Sequence, residues 1–434
     1  MRNRRLHLLL VAMNYAPEPS GTAPYTTALA EHLARRFDVT ALVGVPHYPQ
    51  WRIAAGYGAW RSVERVDGVR VVRLRHHVPS AVGTVNRLLH ETSFAARVVA
   101  QRVGPVDAVV AVTPPLFGLA AARLLARRSR APLGIVVQDL YSRGTLELGV
   151  GGTAAKAAAR LESSLLCAAD QVCVIHETFR ATVVDRLQVL PSAVTVIPNW
   201  TLSQPSGRQR AAVRARLGWG PETVALHAGN MGSKQGLETL VASARVAQQQ
   251  HLPVRFVLMG DGNQRPRLEA LADGVRAVDF LDSVPDEEYG DVLAAADVLV
   301  VNERPGVTEM SVPSKLTSYF AAGRPVLGCC HPSGAAAQVI AAAGAGVVVP
   351  AGRAGAVTAE LMRLRNDPAA ASSLGAAGTS WARSHLSAGA ALGRYSAWVE
   401  ELVGRGHRAP APRRTTATVR QSSTRSKLND QFST

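Results

Sequence analysis

A chain of 434 residues with 47% apolar side chains is too long for one typical core and suits two α/β domains. The four cysteines, Cys167, Cys173, Cys329 and Cys330, show no metal-ligand spacing and fit a reducing cytoplasm. The formal charge of +16 implies an anionic partner: nucleic acid, nucleotide or a membrane surface.

The N-terminal stretch "MRNRRLHLLLVAMNYAPEP" has the basic head and short apolar run of a signal peptide. No small-residue cleavage site follows, so a first buried strand is expected. Strands are predicted in chain order at "LHLLLVAM", "DVTALVG", "VRVVRL", "DAVVAV", "LGIVVQD", "QVCVI" and "AVTVIPN". Helices lie between several of them, including "APYTTALAEHLARR" and "AAKAAARLESSLLCAA". The segment "VVAVTPPLFGLAAARLLA" imitates a membrane span, but its central Pro pair makes it strand, turn and helix, and no spanning segment is expected. Beyond the Pro- and Ser-rich connector "PNWTLSQPSGRQ" the alternation restarts with "VALHAG", "RFVLMG", "VDFLD", "DVLVVN", "PVLGCC" and "GVVVPA". Two doubly wound domains with parallel sheets follow, with ligands beyond the carboxyl ends of the strands. From Arg405 on, the chain holds seven Arg and Lys against Asp430 and few large apolar residues, the composition of a disordered tail. The remainder keeps an excess of about ten positive charges.

A dinucleotide oxidoreductase needs G-x-G-x-x-G after a strand. The first strand of each half leads instead into "NYAPEPSGTAPY" and "GNMGSKQG", and a P-loop is absent too. With those excluded, an ordered set of stretches becomes informative: "NYAPEPSGTAPYTTALAEHLARR", "PHYPQW", "YGAWRSVERVDGVRVVRL", "IPNW", "GNMGSKQGLETL", "LMGDG" and "VPSKLTSYFAAGRPVL". Together they resemble the retaining, nucleotide-sugar-dependent glycosyltransferases of the GT-B fold, family four, and in particular the bacterial colanic-acid, exopolysaccharide and O-antigen type. The resemblance runs from about Leu6 to Leu402. It implies two Rossmann-like domains facing across a cleft: an acceptor domain over residues 1–199 and a donor domain over 200–385. A helix over 386–404 ("GAALGRYSAWVEELV") crosses back to the first domain, and 405–434 is the tail.

In that family "GNMGSKQG" is the donor-diphosphate loop, and the physics agrees. Glycines let backbone N–H groups approach phosphate, and a helix opening at Gly236 adds a favourable dipole. The resemblance assigns donor contacts to Gly229, Asn230, Lys234, Gln235 and, from "LMGDG", Gly262. Composition supports the lysine: only four lysines stand against 44 arginines, and two of them, Lys234 and Lys315, fall in the two suspected diphosphate segments. Many relatives carry Arg where Asn230 stands, which lowers the positive charge here. Further on, Glu309 matches the acid that faces the donor sugar, Ser318 takes the place of a ribose-binding glutamate, and Ser314 and Lys315 sit at a helix start facing the β-phosphate.

In the first domain Gly21 and Thr22 open a helix near the reaction centre. Asp139, at a strand end, either orients the acceptor hydroxyl and helps take its proton or is a structural cleft-wall acid. The aromatic run "HYPQWRIAAGYGAW" places Tyr48 and Trp51 to stack on an acceptor sugar, to meet a lipid interface, or to pack on one another. The helix "RLLHETSFAARVVAQRV" sets arginines beside an apolar stripe, which suits an anionic membrane surface or an ordinary amphipathic helix. No D-x-D occurs in a donor-site context, so neither a metal nor another cofactor is expected. The expected partners are a nucleoside-diphosphate sugar (UDP favoured) and a glycan or polyprenyl-diphosphate-linked acceptor, with peripheral contact at the inner face of the plasma membrane and no nucleic acid. The alternatives are a GT-B nucleotide-sugar epimerase and a non-enzymatic basic-surface binder of nucleic acid or membrane.

Overall fold

The computed structural model describes residues 4–406 apart from 20, 80–82, 141–152, 203–204, 206 and 307–313. Fourteen strands form two sheets. The first sheet comprises β1 (His7–Ala12), β2 (Asp38–Gly44), β3 (Arg61–Val66), β4 (Val69–Leu74), β5 (Ala108–Val112), β6 (Leu133–Val137), β7 (Gln171–Val174) and β8 (Val194–Val196), in the order β3-β4-β2-β1-β5-β6-β7-β8. The second comprises β9 (Thr223–Ala228), β10 (Val254–Met259), β11 (Val278–Leu281), β12 (Val298–Asn302), β13 (Val326–Cys329) and β14 (Gly346–Val349), in the order β11-β10-β9-β12-β13-β14.

Every pairing is parallel except β3 with β4. Near-continuous Val, Leu and Ile runs are what parallel strands covered on both faces require, and β5, β6, β7, β9 and β12 are buried at every position. Two apolar clusters cover the faces of the first sheet and two more the faces of the second. The strand order reverses beside β1 in one sheet and beside β9 in the other, which are the switch points where such sheets bind ligands.

One strand escapes the apolar pattern. In β3 (RSVERV) most side chains are exposed or half-buried, so burial leaves no signature on it. Its hairpin signal is Asp67-Gly68, both at positive φ (48° and 83°), the conformation of a tight two-residue turn.

The last helix, Ala388–Gly406, returns to the first sheet. Ala391, Tyr395, Trp398, Val399, Leu402 and Val403 join the cluster beneath β1, β2, β5 and β6. Gly134 in β6 makes that docking possible, because a Cβ there would lie 2.6 Å from the Trp398 ring. An edge-to-face aromatic chain, Tyr25–Trp200–Tyr395–Trp398, joins helix α1 (Ala23–Ala34), the connector and the returning helix. Across the two sheets, the Tyr25 hydroxyl meets Thr317 Oγ1 at 3.4 Å, and Thr201 Oγ1 donates to the Thr317 carbonyl at 3.2 Å. Among the described residues no helix is long and apolar enough to cross a membrane.

Candidate donor cleft

β9 ends at the second switch point and releases the loop Gly229–Gly236. Glycines allow this loop to lie flat on its neighbour. Gly260 (φ 130°) and Gly262 (φ 156°) follow β10, and a Cβ on Gly260 would stand 2.2 Å from the Gly229 carbonyl oxygen. A Cβ on Gly262 would stand 2.6 Å from both Asn230 Oδ1 and the Met231 carbonyl oxygen. Met231 N–H donates to Asp261 O (2.8 Å) and Gln264 N–H to Met231 O (2.9 Å). The "GDG" triplet is therefore the bed on which the loop rests.

The loop continues as a single 3₁₀ turn, Ser233–Gln235, and the α-helix Glu238–Gln249 begins two residues beyond Gly236, which corrects the expected opening at that glycine. Gly236, left-handed at φ 56°, ends the 3₁₀ turn, and a Cβ there would press within 2.8 Å of Arg304 Cα. Asn302, buried at the end of β12, donates through Nδ2 to the carbonyls of Gln235 (2.6 Å) and Gly236 (2.9 Å). The Gln235 side chain accepts from Gly232 N–H at 3.1 Å, so it braces its own loop.

Lys315 is the first residue of the helix Lys315–Ala321, with Ser314 at its N-cap. Its side chain packs over Gly229, with Nζ 3.7 Å from where a Cβ would be, and Nζ lies 3.1 Å from Nε2 of His227. His227 is fully buried in β9, and its Nδ1 faces the Val300 carbonyl at 3.3 Å. A carbonyl only accepts, so Nδ1 carries the hydrogen and Nε2 accepts from the ammonium. Burial, with the lysine's charge second, drives the His227 pKa well below the usual histidine range. Burial, reinforced by Lys234 and opposed by Glu303, lowers Lys315 to about 7. His227 and Glu303 were missed at the level of sequence. A histidine in an otherwise apolar strand run, "VALHAG", was the available signal for the first.

From the first domain, Asp139 follows β6 and is half-buried. Thr113 Oγ1 accepts from the N–H groups of Gln138 (2.9 Å) and Asp139 (3.1 Å) and donates to the Asp139 carbonyl (2.9 Å). Burial raises the carboxyl pKa of Asp139, while the charges of Lys234 and Arg87 pull it back. Lys234 thus acts on both Asp139 and Lys315 across the cleft. Tyr48 spans the same gap: its phenol bonds the Asn230 side chain, and burial, then Asp139 and Glu18, push it up to about 12. Gly21 (φ 70°) lies under that ring, its Cβ position 3.3 Å from Tyr48 Cε1, and Thr22 is the N-cap of α1. Trp51 sits edge-on to Tyr48 at 6.3 Å. Ser318 is buried in its short helix. Glu309 lies outside the described residues. Gly229, Asn230, Lys234, Lys315, Asp139 and Tyr48 are therefore gathered at one cleft, while Gly262 and Gln235 support it from behind.

Two Rossmann-like sheets facing across a cleft, closed by a returning helix, define a GT-B glycosyltransferase architecture, and solved structures share it. Sucrose-phosphate synthase from Thermosynechococcus elongatus superimposes with a TM-score of 0.71 at 20% identity, covering 92% of this chain and 100% of that one. Anabaena HepE, solved with UDP-glucose, gives 0.68 at 16% identity over 91% of this chain and 100% of that one. The family described as Glycosyl transferase 4-like domain matches residues 20–200, and Glycosyl transferases group 1 matches residues 222–367. Escherichia coli (strain K12) WcaI, which carries the name of a colanic acid biosynthesis glycosyl transferase, is 31% identical over 336 residues, 73% of this chain and 82% of that protein. The chain belongs to the group 1 glycosyltransferases.

Proposed function

We propose that this glycosyltransferase moves a sugar, with retention of anomeric configuration, from a nucleoside-diphosphate sugar to a glycan acceptor in cell-surface polysaccharide biosynthesis. The observation that carries the reading is the pair Lys234 and Lys315 at the second switch point. Lys315 is pressed against a neutral imidazole and repelled by a second lysine, which leaves positive potential for an arriving anion. A departing nucleoside diphosphate develops its charge there, and stabilising that charge is the main catalytic task. The lysines take the place of a divalent ion in this site. UDP is the favoured nucleotide: HepE was solved with UDP-glucose, and a trehalose-6-phosphate structure from E. coli holds UDP-2-fluoro glucose.

Asp139, with its raised pKa and its position at the first domain's edge of the cleft, orients the acceptor hydroxyl, while the departing phosphate takes the proton. The name of WcaI supports an exopolysaccharide product. A lipid-linked acceptor at an anionic membrane fits helix α2 (Thr84–Val99), where Val85, Leu88 and Leu89 are exposed, and Trp60 beside it, whose ring stacks with Arg97 at 4.2 Å.

The test is thermal shift against UDP, GDP and ADP with EDTA present, on wild type and Lys234→Ala. A ligand of the native state raises the melting temperature by mass action. A shift for one diphosphate that Lys234→Ala abolishes supports the donor site and its independence from metal. No shift with any of them, in a protein that melts cooperatively, overturns the reading.

A further inference from the structure

The first domain holds a second constellation that donor binding leaves unused. His47 follows β2, His76 follows β4 and His90 lies in α2; all three are buried, and one ring nitrogen of each lies within 4.8 Å of the others. Their ring centroids are 4.8–5.2 Å apart. The rings share one hydrogen-bonding pattern. His47 Nδ1 faces the Val45 carbonyl at 2.9 Å, His76 Nδ1 the Leu74 carbonyl at 3.1 Å, and His90 Nδ1 the His77 carbonyl at 2.6 Å. Carbonyls only accept, so in each neutral ring Nδ1 bears the hydrogen and Nε2 bears a lone pair.

The consequence is a shortage of donors. With one tautomer in all three rings, no Nε2 can donate to its neighbour. His76 is 6% exposed, and its Nε2 has no hydrogen-bond partner in the structure. A buried acceptor without a donor forfeits its hydration with nothing in return. One water could donate to two of the three lone pairs, whereas a tetrahedral cation satisfies all of them. A carboxylate is also in place behind the cluster. Glu18, 5% exposed, sets Oε1 3.3 Å from His47 Nδ1 and accepts there from the N–H groups of His47 (2.8 Å) and Tyr48 (3.0 Å). Carboxylates and backbone carbonyls on the distal ring nitrogen are the partners that orient metal-binding histidines.

We propose that His47, His76 and His90 bind one divalent ion of the zinc class through their Nε2 atoms, with Glu18 as the outer carboxylate and water in the fourth position. Tetrahedral Zn–N bonds of about 2.0–2.1 Å put the nitrogens roughly 3.4 Å apart, so nitrogens now up to 4.8 Å apart close by up to about 1.4 Å on binding. The ion fastens the ends of β2 and β4 to α2 beneath the loop that carries Tyr48 and Trp51, whose ring lies 5.8 Å from His47 and 5.5 Å from His90. It lies in the first domain, apart from the diphosphate lysines. The proposal therefore stands or falls independently of metal-free donor binding.

The experiment uses tag-free, full-length protein. Metal is stripped, Co²⁺ and Zn²⁺ are titrated back, and bound metal is measured by mass spectrometry alongside visible absorption and melting temperature. Expected are one equivalent of metal, tetrahedral cobalt bands without thiolate charge transfer, and a zinc-dependent rise in melting temperature. His76→Gln and His90→Gln should each lose the equivalent while keeping the nucleotide-induced shift, and the exposed His331→Gln should keep it. Failure of stripped wild type to take up either ion overturns the proposal, and that measurement needs no variant to fold. Stoichiometric binding that survives in His76→Gln, or a cobalt spectrum with a thiolate band, overturns it equally.

Discussion

The loops after β1 and β9 hold the same topological place in two similarly wound sheets, yet they are built on opposite electrostatics. After β9, glycines lay backbone on backbone and the loop presents Lys234 beside Lys315. After β1, the organising group is a buried acid: Glu18 accepts from Asn14 Nδ2 at 2.8 Å and from the backbone at His47 and Tyr48. In the proposed function one end of the cleft receives an anion, and the other holds aromatic and hydroxyl-bearing groups in position. The fold supplies two equivalent crevices, and side-chain charge divides the labour between them.

Removing charge from each side of the cleft in turn has the largest expected effect. Lys234→Ala should lower kcat by roughly 10²- to 10³-fold in a sugar-transfer assay, the range for losing a group that stabilises developing charge. Asp139→Asn should cost markedly less, and an equal loss would mean that the first domain shares the charge-stabilising task. Next comes the backbone contact. Gly260→Ala must shift Gly229 and adopt an unfavourable φ, a combined cost of about 3 kcal/mol or more, read as a melting-temperature drop of roughly 5–10 °C. Gly21→Ala meets only a movable tyrosine ring at 3.3 Å and should fall far short of that drop.

A pH titration sharpens the donor side further. Lys315 has its pKa lowered by burial to about 7, and the proposed donor site needs it charged to hold phosphate. Below about 7 the free protein already carries the proton, so Lys315 adds no slope to the nucleoside-diphosphate affinity there. Above it binding takes up a proton, and Kd should rise by up to tenfold per pH unit. Calorimetry in buffers of different ionisation enthalpy detects that uptake, and Lys315→Met should abolish the slope. The smallest effect belongs to the bond across the cleft. Tyr48→Phe removes its hydroxyl from Asn230, about 1 kcal/mol, and should raise KM by up to about fivefold.

Thirteen of the strands were legible as apolar runs: most are parallel strands covered on both faces, and the half-buried edge strands β8, β11 and β14 still carry Val, Phe or Leu, while the turn from β1 into α1 was legible through its Gly and Pro. β3 was not, because an exposed edge strand owes its place to pairing with β4 and not to burial. At the site, Lys234 and Lys315 stood out through a composition that otherwise favours arginine. Gly262 also stood out, but a glycine that accommodates neighbouring backbone and one that admits a phosphate look alike in a sequence. His227, Glu18 and the three clustered histidines gave little sign of their grouping, since their partners lie up to dozens of residues away.

The local part was legible in the sequence: alternation of strand and helix, the restart after the connector, and the glycine- and lysine-bearing junctions at strand ends. These follow from periodicity and backbone freedom, which neighbouring residues specify. Which of those groups meet depends on how the chain packs. Lys315 reaches His227 across 88 positions, and the tautomer of each clustered histidine is set by the backbone carbonyl that its ring happens to face. Proton affinity and hydrogen-bond satisfaction depend on burial and distance, and those are properties of the packed chain.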